Sequence, residues 1–538
     1  MPGSPTVQTP RNVLIFQLQS ALDQLRQASD HEQSDCLLKV VQSIVDWQTQ
    51  CNDMRPPRVE GAGTIDQRSS ENSNAVRLAA KTLNKNLTPL IENLSRDPLV
   101  SAQMDTLFAT AQAAKTPLAN LSGHDKAVAL QAMTKALHEN RDDILSANAQ
   151  DVANAQSQGV TPAVLDRLTL NGPRLDAMID SIGQIAGQTD PVNRVLEAWD
   201  NPKNDLHFKK VSVPLGVIGI IYEARPNVTT DAAAICLKSG NPVILRPGSN
   251  CHATSTALAR ALQKGAAASG VPEGAIQIVP IKDREAVGEM LRARGKLDLI
   301  IPRGGASLTR RVFEEARVPT LLHLDGNCHT YVDKDANPDT AIRVVINAKM
   351  RRTGICGATE SLLVHQDVAA TMLPDLAAAL HGNNCEMVGD DRTCKILPGV
   401  VQRAESNDFK TEFLGPKISI QVVDSLEEAI EVINENSSKH TESIISTNRL
   451  AQERFLLEVK SAITMVNTST QFADGGEFGF GAEIGISTGQ TPPRGPVGAD
   501  QLVSFKYNVY SNGAIRGGGS DTLDLHAFRL AMSKLLEN

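Results

Sequence analysis

The middle of the chain alternates short β-branched runs with helical segments, and this alternation constrains the fold more than any other feature. Clusters of Val, Ile and Leu predict strands at 217–222, 242–245, 276–279 and 297–301, with helical periodicity in the intervals. Strands joined through helices run parallel, because each crossover helix returns the chain to the end of the sheet at which the previous strand began. The block therefore predicts a doubly wound α/β sheet with ligands beyond the carboxyl ends of its strands.

A second alternating set follows further along the chain. Its predicted strands are 362–364, 418–422 and 444–446, and its predicted helices are 369–381, 426–435 and 449–459. This repetition predicts a second α/β domain. A strand within 321–332 and a helix at 340–350 precede this set, and a linker is predicted at 517–520. Amphipathic helical patterns in the first hundred residues predict a helical N-terminal extension, for which an interaction or regulatory role stays open.

Ala-rich helical segments follow the predicted extension. Helices are predicted at 109–115, 122–140 and 142–156, and Ser122 is a candidate N-cap with Asp125 three residues on, an approximate capping box. A strand is predicted after them, at 208–213.

Composition excludes several classes of protein. The 538 residues carry a net charge of −8 and only 3% aromatic residues, which argues against a nucleic-acid surface. No apolar run approaches the roughly 18 residues of a membrane span, and no secretory signal is evident, so we expect no membrane partner. The eight cysteines form no CxxC pair and no metal-ligand spacing, which predicts a reducing cytoplasm and no metal site.

Cys356 lies in the segment 347–361, which combines positive charge with small residues. Lys349, Arg351 and Arg352 precede it, and nearby cations favour the thiolate form that acts as a nucleophile. Gly354 and Gly357, the latter next to the sulfur, leave room for a substrate. The alternative is a buried structural cysteine, which is the commoner role of a single intracellular thiol.

A strand also runs directly into a glycine pair, Gly304 and Gly305, and then into a helix. Exposed amides at a helix N-terminus suit a pyrophosphate, although a plain turn between strand and helix would have the same pattern. A glycine-rich stretch at 473–499 would likewise allow close approach to a ligand, or form a surface loop.

Several separated segments together resemble one family, the glutamate-5-semialdehyde dehydrogenases, also called gamma-glutamyl phosphate reductases. This family is a branch of the aldehyde dehydrogenase superfamily, and the resemblance covers about residues 103–516. The segments are 213–229, 237–241, 301–305, the Cys356 segment, 436–443, 479–487 and 494–498.

The resemblance implies an aldehyde-dehydrogenase-like fold, with a Rossmann-type cofactor domain and an α/β catalytic domain. We expect a helical extension with a linker at 1–100, an NADP-binding domain at 101–325 and a catalytic domain at 326–503. An oligomerisation strand at 504–516 and a C-terminal helical tail at 517–538 are expected to follow. It also implies a reaction: NADPH reduces L-glutamyl 5-phosphate to L-glutamate 5-semialdehyde, with release of phosphate, as the second step from glutamate to proline.

Catalytic roles carry over to two residues. Cys356 is expected to attack the acyl phosphate and form a thioester, and Asn227 to donate to the oxyanion, with a helix N-cap as the alternative for Asn227. His323 stands where hydrolytic relatives carry a water-activating glutamate, which suits an enzyme that passes its acyl group to hydride.

Cofactor contacts follow the same resemblance. Glu412 is expected at the nicotinamide ribose, and Gly304 and Gly305 beside the pyrophosphate. Arg246 lies in the adenine-ribose segment without the acidic residue of NAD-preferring relatives, which favours the 2′-phosphate of NADP.

Basic residues are candidates for the anionic groups of the substrate. These are Lys349, Arg351, Arg352 and Arg494. His440 and Glu442 belong to a family signature, and Glu442 is a candidate for the substrate ammonium.

Two alternatives differ in function: a coenzyme A-dependent acylating aldehyde dehydrogenase, and an inactive homologue that serves as a scaffold. The 440–442 and 494–498 segments argue against the first, and intact Cys356 and Asn227 argue against the second. We expect a homo-oligomer assembled through a protruding β segment, and functional coupling to a separate glutamate 5-kinase.

Overall fold

The computed structural model describes residues 97–321, 325–516 and 525–536. Most of the expected extension at 1–100, His323 and the 517–520 linker lie outside the described residues. The chain divides into two compact units, residues 1–102 and 103–538, and the second holds every element below except the start of the first helix.

Helices occupy the start of the described chain. They are α1 (Pro98–Ala119), α2 (Gly123–Glu139), α3 (Arg141–Ser157), α4 (Pro162–Leu168) and α5 (Gly172–Gly187). Ser122 caps α2 as predicted, since its side chain accepts from the Asp125 amide at 3.1 Å and the Asp125 carboxylate returns to Ser122. Sequence patterns predicted parts of α1–α3 but not α4 or α5.

An exposed antiparallel hairpin comes next, formed by β1 (Val195–Asn201) and β2 (Leu206–Pro214). The predicted strand at 208–213 lies within β2, whereas β1 was not predicted. All seven residues of β1 are exposed or half-buried, so the burial pattern that identifies a strand is missing there.

The first predicted α/β block is confirmed. Its elements are β3 (Ile218–Tyr222), α6 (Asn227–Lys238), β4 (Val243–Pro247), α7 (His252–Ala268), β5 (Ile276–Ile278), α8 (Glu285–Arg292), β6 (Leu299–Arg303) and α9 (Ala306–Glu315). The four strands are parallel in the order β5-β4-β3-β6. Both β3 and β4 are buried along their whole length, as expected of central parallel strands.

The second block forms a larger parallel sheet. Its elements are β7 (Cys328–Val332), α10 (Pro338–Met350), β8 (Thr359–His365), α11 (Gln366–Gly382), β9 (Glu386–Gly389), α12 (Asp391–Ile396), β10 (Gln402–Arg403), β11 (Lys417–Val423), α13 (Leu426–Asn436), β12 (Thr441–Ile445), α14 (Arg449–Glu458) and β13 (Ile463–Val466). The seven strands lie in the order β10-β9-β11-β8-β7-β12-β13. The predicted strands and helices of this block are all present, and β9, β10, β13 and α12 are additional.

Short elements close the described chain. They are β14 (Ile486–Ser487), β15 (Gly495–Pro496), β16 (Val503–Tyr510) and α15 (Leu525–Leu536). Strand β16 pairs antiparallel with β2, so the hairpin becomes a three-stranded sheet in the order β1-β2-β16. This sheet exposes Trp199, Phe505 and Tyr507 in a chain that is poor in aromatic residues.

The order of the first sheet fixes where a ligand is held. Strand β3 is followed in sequence by β4 on one side, while β6 pairs with β3 on the other side. Between β3 and β6 the direction of winding reverses, and such a switch point opens a crevice at the carboxyl ends of the strands. Tyr222 and Arg303 are paired there, so the loops after both strands emerge side by side.

Gly265 tests the helix packing beside this sheet. A Cβ at Gly265 in α7 would lie 2.6 Å from the Ala132 carbonyl oxygen and 2.7 Å from the Met133 Cα, both backbone atoms of α2. We expect Gly265→Ala to lower the free energy of unfolding by about 1–3 kcal/mol through overpacking, measured by urea denaturation.

The matched control is Gly183→Ala, also inside a helix, where a Cβ meets nothing within 4 Å. It should stabilise the protein slightly, by about 0.4–1 kcal/mol. Equal effects of the two substitutions would contradict the close packing of α7 on α2.

Candidate active site

The turn that carries Cys356 joins the end of α10 to the start of β8. Lys349, in the last turn of α10, and Glu360, in β8, form an ion pair in which both side chains are fully buried. The charges therefore tie together the two ends of the turn. The expectation that Lys349 binds a substrate anion is wrong on this geometry, because its ammonium is buried against Glu360.

A second set of contacts supports the same turn from one side. The Gln471 side chain donates to the Ala348 carbonyl at 2.8 Å and accepts from Arg351 Nε at 3.1 Å. Thr359 Oγ1 and Thr470 Oγ1 are 3.0 Å apart. Arg351, a predicted substrate ligand, thus contacts the protein with its Nε while its side chain remains exposed.

Cys356 itself is half-buried, and backbone lies directly against it. A Cβ at Gly326 would lie 2.2 Å from the Cys356 carbonyl oxygen and 2.5 Å from its Cα, so only glycine fits there. The buried Cys328 thiol donates to the same carbonyl oxygen at 3.0 Å. These contacts fix the backbone of the turn while the Cys356 side chain remains accessible.

Cys356 lies at the amino ends of β7, β8 and β12, not beyond their carboxyl ends as the general expectation for open α/β sheets had it. Cys328 begins β7, and its sulfur lies 3.6 Å from Nδ1 of His440, which directly precedes β12. Nδ1 of His440 is also 2.8 Å from Thr441 Oγ1. Burial lowers the pKa of His440 to about 4, so the ring is neutral near pH 7.

Glu442 is fully buried within β12, and protein groups satisfy both of its carboxylate oxygens. One accepts from the His329 amide at 2.6 Å, and the other accepts from the Ser461 hydroxyl at 2.9 Å. This carboxylate belongs to the interior of the sheet beneath the turn.

Asn227 opens α6 at the carboxyl end of β3. The N-cap position is held by Pro226, so the alternative role of Asn227 as a helix cap does not apply. Its exposed side-chain amide donates to Asp231 Oδ2 at 3.0 Å, four residues on along the same helix. One amide hydrogen is thereby oriented, and the other stays available to a ligand.

Acidic and basic groups converge beside Asn227. Arg303 lies 3.9 Å from Glu483, whose other oxygen accepts from the Gly475 amide at 3.0 Å. Burial raises the pKa of Asp231 and of Glu483 to about 7, against the opposing effect of Arg303. No spacing in the sequence predicts this group, because its members come from three distant segments.

Arg225, two residues before Asn227, is a further cation of the site that the sequence reasoning did not single out. Burial lowers its pKa to about 10, and the like charges of Arg303 and Arg167 act in the same direction, whereas Cys356 and Glu223 oppose them. The loop after β3 is also fixed against β6, because the Glu223 amide donates to the Arg303 carbonyl at 3.0 Å.

The glycine pair lies between β6 and α9, as predicted. Gly305 is the N-cap of α9 and provides no side-chain cap, so the first amides of the helix face the end of the sheet. A Cβ at Gly304 would lie 2.7 Å from the Glu223 carboxylate and from a methyl of Leu308, so a larger residue would require these side chains to move.

Arg246 lies near the end of the buried strand β4, and it forms no salt bridge within the described part of the chain. Its guanidinium donates to the carbonyl oxygens of Lys282 at 3.2 Å and Asp283 at 3.1 Å. Burial lowers the pKa of Arg246, although the charge of Glu223 acts to raise it, and the like charges of Arg284 and Arg311 lower it further. A positively charged corner therefore lies at the carboxyl end of β4.

Glu412 is half-buried beside the Cys356 turn. Burial and the charge of Asp325 raise its pKa to about 7, while the Gly326 amide and Lys349 act in the opposite direction. Gly326 therefore lies next to both Glu412 and Cys356.

Arg352 and Arg494 are the remaining basic candidates for the substrate. Arg352 is exposed and acts electrostatically on Asp166. Arg494 is half-buried, and its guanidinium donates to the Lys460 carbonyl. Within residues 97–321, 325–516 and 525–536, no group of three or more His, Cys, Asp or Glu side chains is placed to hold a metal ion. No helix among those residues combines the length and apolarity needed to cross a membrane.

Comparison with known proteins agrees with this geometry. The model of the aldehyde dehydrogenase family matches residues 98–393 and 377–483, and the chain belongs to that family. A gamma-glutamyl phosphate reductase of Parvibaculum lavamentivorans is 51% identical over 418 residues, which cover 78% of this chain and 98% of the relative. Within the family, the chain belongs to the gamma-glutamyl phosphate reductases.

Solved structures show the same relationship. The crystal structure of the gamma-glutamyl phosphate reductase from Thermotoga maritima is 40% identical, covers 77% of this chain and 100% of its own, and superposes with a TM-score of 0.75. An acetylating aldehyde dehydrogenase from Geobacillus thermoglucosidasius shares the fold at 16% identity, with a TM-score of 0.57 over 78% of this chain and 99% of its own.

Gly326 gives a direct test of the turn. We expect Gly326→Ala to displace the Cys356 backbone and to slow alkylation of Cys356 by iodoacetamide at least about tenfold, since a shift of about 1 Å in a site costs more than that. Peptide mass spectrometry after timed alkylation measures the rate.

Gly354→Ala is the matched control, because a Cβ there comes no closer than 3.9 Å to a neighbouring residue, at the Leu414 carbonyl. Its alkylation rate should stay near that of the parent protein. An unchanged rate in Gly326→Ala would show that Gly326 does not position Cys356.

Proposed function

We propose that this chain reduces L-glutamyl 5-phosphate to L-glutamate 5-semialdehyde with NADPH and releases phosphate, through a thioester on Cys356. The observation that carries the proposal is that the 470–475 segment links the two sheets. Thr470 Oγ1 lies 3.0 Å from Thr359 Oγ1 beside the Cys356 turn, and the Gly475 amide donates to Glu483, which lies 3.9 Å from Arg303 at the end of β6. The Arg303 carbonyl in turn accepts from Glu223, in the loop that carries Arg225 and Asn227. Nucleophile, oxyanion donor and cation thus belong to one site. The family and the 51% identical relative support the same reaction.

The proposed chemistry begins with attack of the Cys356 thiolate on the acyl carbon. The Asn227 amide, oriented by Asp231, and the Cys356 backbone amide donate to the oxyanion. A donor of this kind contributes about 10²–10³ in rate. The adduct then expels phosphate and leaves the thioester. NADPH, when bound, supplies the hydride that reduces the thioester. The C–S bond then breaks, the aldehyde leaves, and the Cys356 thiolate is restored.

The proposed reductive outcome also depends on what is missing near the thioester. His323 takes the sequence position of the glutamate that activates water in hydrolytic relatives. The carboxylate that activates water in those relatives is therefore not at this sequence position, which favours transfer of the acyl group to hydride.

The cofactor site fits NADPH. Arg246 and the neighbouring cations form a positive corner suited to the 2′-phosphate, and the Gly304–Gly305 turn leaves its helix amides open for the pyrophosphate. Glu412 is assigned to the nicotinamide ribose, where a carboxylate accepts from two hydroxyls.

Our candidates for binding the anionic groups of the substrate remain Arg351, Arg352 and Arg494. We revise the role of His440 and Glu442, because direct contact of Glu442 with an ammonium would break one of two buried hydrogen bonds. We infer that both hold the strand ends beneath the Cys356 turn. A cytoplasmic location stays a prediction.

A coenzyme A-dependent reaction remains the alternative within the superfamily. The acetylating relative supports only the shared fold, and no observed feature favours the coenzyme over phosphate. An inactive scaffold is not favoured either, because the Cys356 turn is fully supported by its neighbours.

For assembly, we propose a homo-oligomer formed through the β1-β2-β16 sheet. Its aromatic residues contact each other: the Trp199 and Phe208 rings stack with centroids 5.1 Å apart, and the Phe505 and Tyr507 rings meet edge to face at 5.6 Å. Exposed aromatic clusters of this kind mark protein interfaces. A separate glutamate 5-kinase as supplier of the unstable acyl phosphate belongs to the same proposal.

Cys356→Ser tests the reaction in the oxidative direction. With glutamate 5-semialdehyde, NADP⁺ and phosphate, we expect the parent protein to form NADPH. Cys356→Ser should form NADPH at least about 10³-fold more slowly, because a hydroxyl is a far weaker nucleophile than a thiolate. Absorbance of NADPH gives the rate.

Cys394→Ser, which removes another half-buried thiol, should keep full activity. Replacing phosphate by coenzyme A should abolish turnover. Activity with coenzyme A but not with phosphate would sink the proposed reaction.

The assembly proposal is tested with Tyr507→Asp, which adds a charge to the aromatic surface. We expect a smaller mass in light scattering coupled to size-exclusion chromatography, because burying an unpaired carboxylate is costly. Leu457→Asp is the control: Leu457 is 83% exposed, compared with 55% for Tyr507, but lies on α14. An unchanged mass for Tyr507→Asp would argue against this interface.

A further inference from the structure

The Arg225 side chain is half-buried, and within the described residues its guanidinium has neither a hydrogen bond nor an ion pair. Its neighbour Arg303 differs, because it lies 3.9 Å from Glu483. No nitrogen of the Arg225 guanidinium is both buried and unpaired, so its donors stay accessible to solvent and to a ligand. Arg225 therefore has the properties of a ligand-binding cation.

The backbone before Arg225 adopts an unfavourable conformation. Ala224 has φ of +48°, in the left-handed region that residues other than glycine rarely occupy. Two contacts fix this conformation: the Ala224 amide donates to Asn250 Oδ1 at 3.3 Å, and the Glu223 amide donates to the Arg303 carbonyl at 3.0 Å. Strain of this kind persists where the surrounding structure enforces it, typically at functional sites.

The strained residue separates two charged side chains of opposite sign. Glu223, before it, accepts from the Gly305 amide at 3.4 Å, at the turn assigned to the cofactor. Arg225, after it, lies in the electrostatic field of Cys356, at the turn assigned to the substrate. The left-handed residue thus lets one loop serve both halves of the cleft.

We propose that Arg225 binds the phosphoryl group of the substrate as it leaves the carbon attacked by Cys356. This inference rests on the proposed function and assigns its phosphate subsite. The phosphoryl oxygen is bonded to the reacting carbon, so the cation beside the sulfur meets the phosphate, whereas the α-carboxylate lies at the far end of the glutamyl chain. The fork of a guanidinium matches phosphate geometry.

The step balances within the site. The thiolate of Cys356 forms the C–S bond, the bond between the acyl carbon and the phosphate oxygen breaks, and its electron pair leaves with the phosphate. Arg225, with Arg303 nearby, stabilises the charge that develops on that oxygen. In the reverse direction, the same cations hold inorganic phosphate for attack on the thioester.

The test uses the full chain and phosphate-dependent reduction of NADP⁺ with glutamate 5-semialdehyde. We expect Arg225→Gln to raise the KM for phosphate by about 10–100-fold, the usual effect of losing a charge-assisted hydrogen bond. The KM values for semialdehyde and NADP⁺ should stay within about twofold of the parent, since neither depends on this contact. Arg225→Lys keeps the charge and should restore part of the phosphate affinity.

Arg449→Gln is the control, because Arg449 is an exposed arginine paired only with Glu453 on α14. It should leave all three KM values unchanged. A raised KM for semialdehyde with normal phosphate dependence would overturn the proposal and assign Arg225 to the α-carboxylate. Unchanged kinetics in Arg225→Gln would overturn it outright.

A second readout does not require turnover. Inorganic phosphate should slow alkylation of Cys356 by iodoacetamide in the parent protein and in Arg449→Gln, but not in Arg225→Gln. Loss of turnover in the parent would contradict the proposed function, and this protection assay would then decide the role of Arg225 alone. Equal protection in Arg225→Gln and the parent would overturn the subsite.

Discussion

The turn that carries Cys356 leaves α10 and enters β8 across the buried ion pair of Lys349 and Glu360. Because both charges are fully buried, removing either partner would leave the other unpaired, at a cost of about 3–5 kcal/mol. The pair therefore keeps the two ends of the turn at a fixed separation. Gln471 and Gly326 then fix its backbone, so the half-buried thiol lies on a rigid support.

The two parallel sheets contribute opposite ends to the cleft. The four-stranded sheet presents the carboxyl ends of β3, β4 and β6, where loops with Arg225, Asn227 and Gly304 emerge. The seven-stranded sheet presents the amino ends of β7, β8 and β12, beneath Cys356. The proposed nucleophile and the proposed oxyanion donor thus come from different sheets, and the site depends on how these sheets pack.

Regular periodicity made most of the fold predictable, including the central strands of both sheets and the Ser122 cap. Strand β1 was not predicted, because none of its residues is buried and its sequence therefore lacks the alternation of apolar and polar residues that indicates a strand. In the site, the catalytic roles of Cys356 and Asn227 stay predictions from the motifs, whereas Lys349 was misassigned. Its partner Glu360 lies eleven positions away across an irregular turn, so no helical or strand spacing reveals the pair.

Charge in the cleft depends on burial as much as on residue type. Burial raises the pKa values of Asp231, Glu483 and Glu412 to about 7, so these carboxyls are largely protonated below pH 7 and become anionic above it. A protonated carboxyl does not cancel the field of Arg225 for an anionic substrate. The carboxylates that lie close to the arginines therefore provide hydrogen bonds near neutral pH while adding less negative charge than exposed carboxylates would.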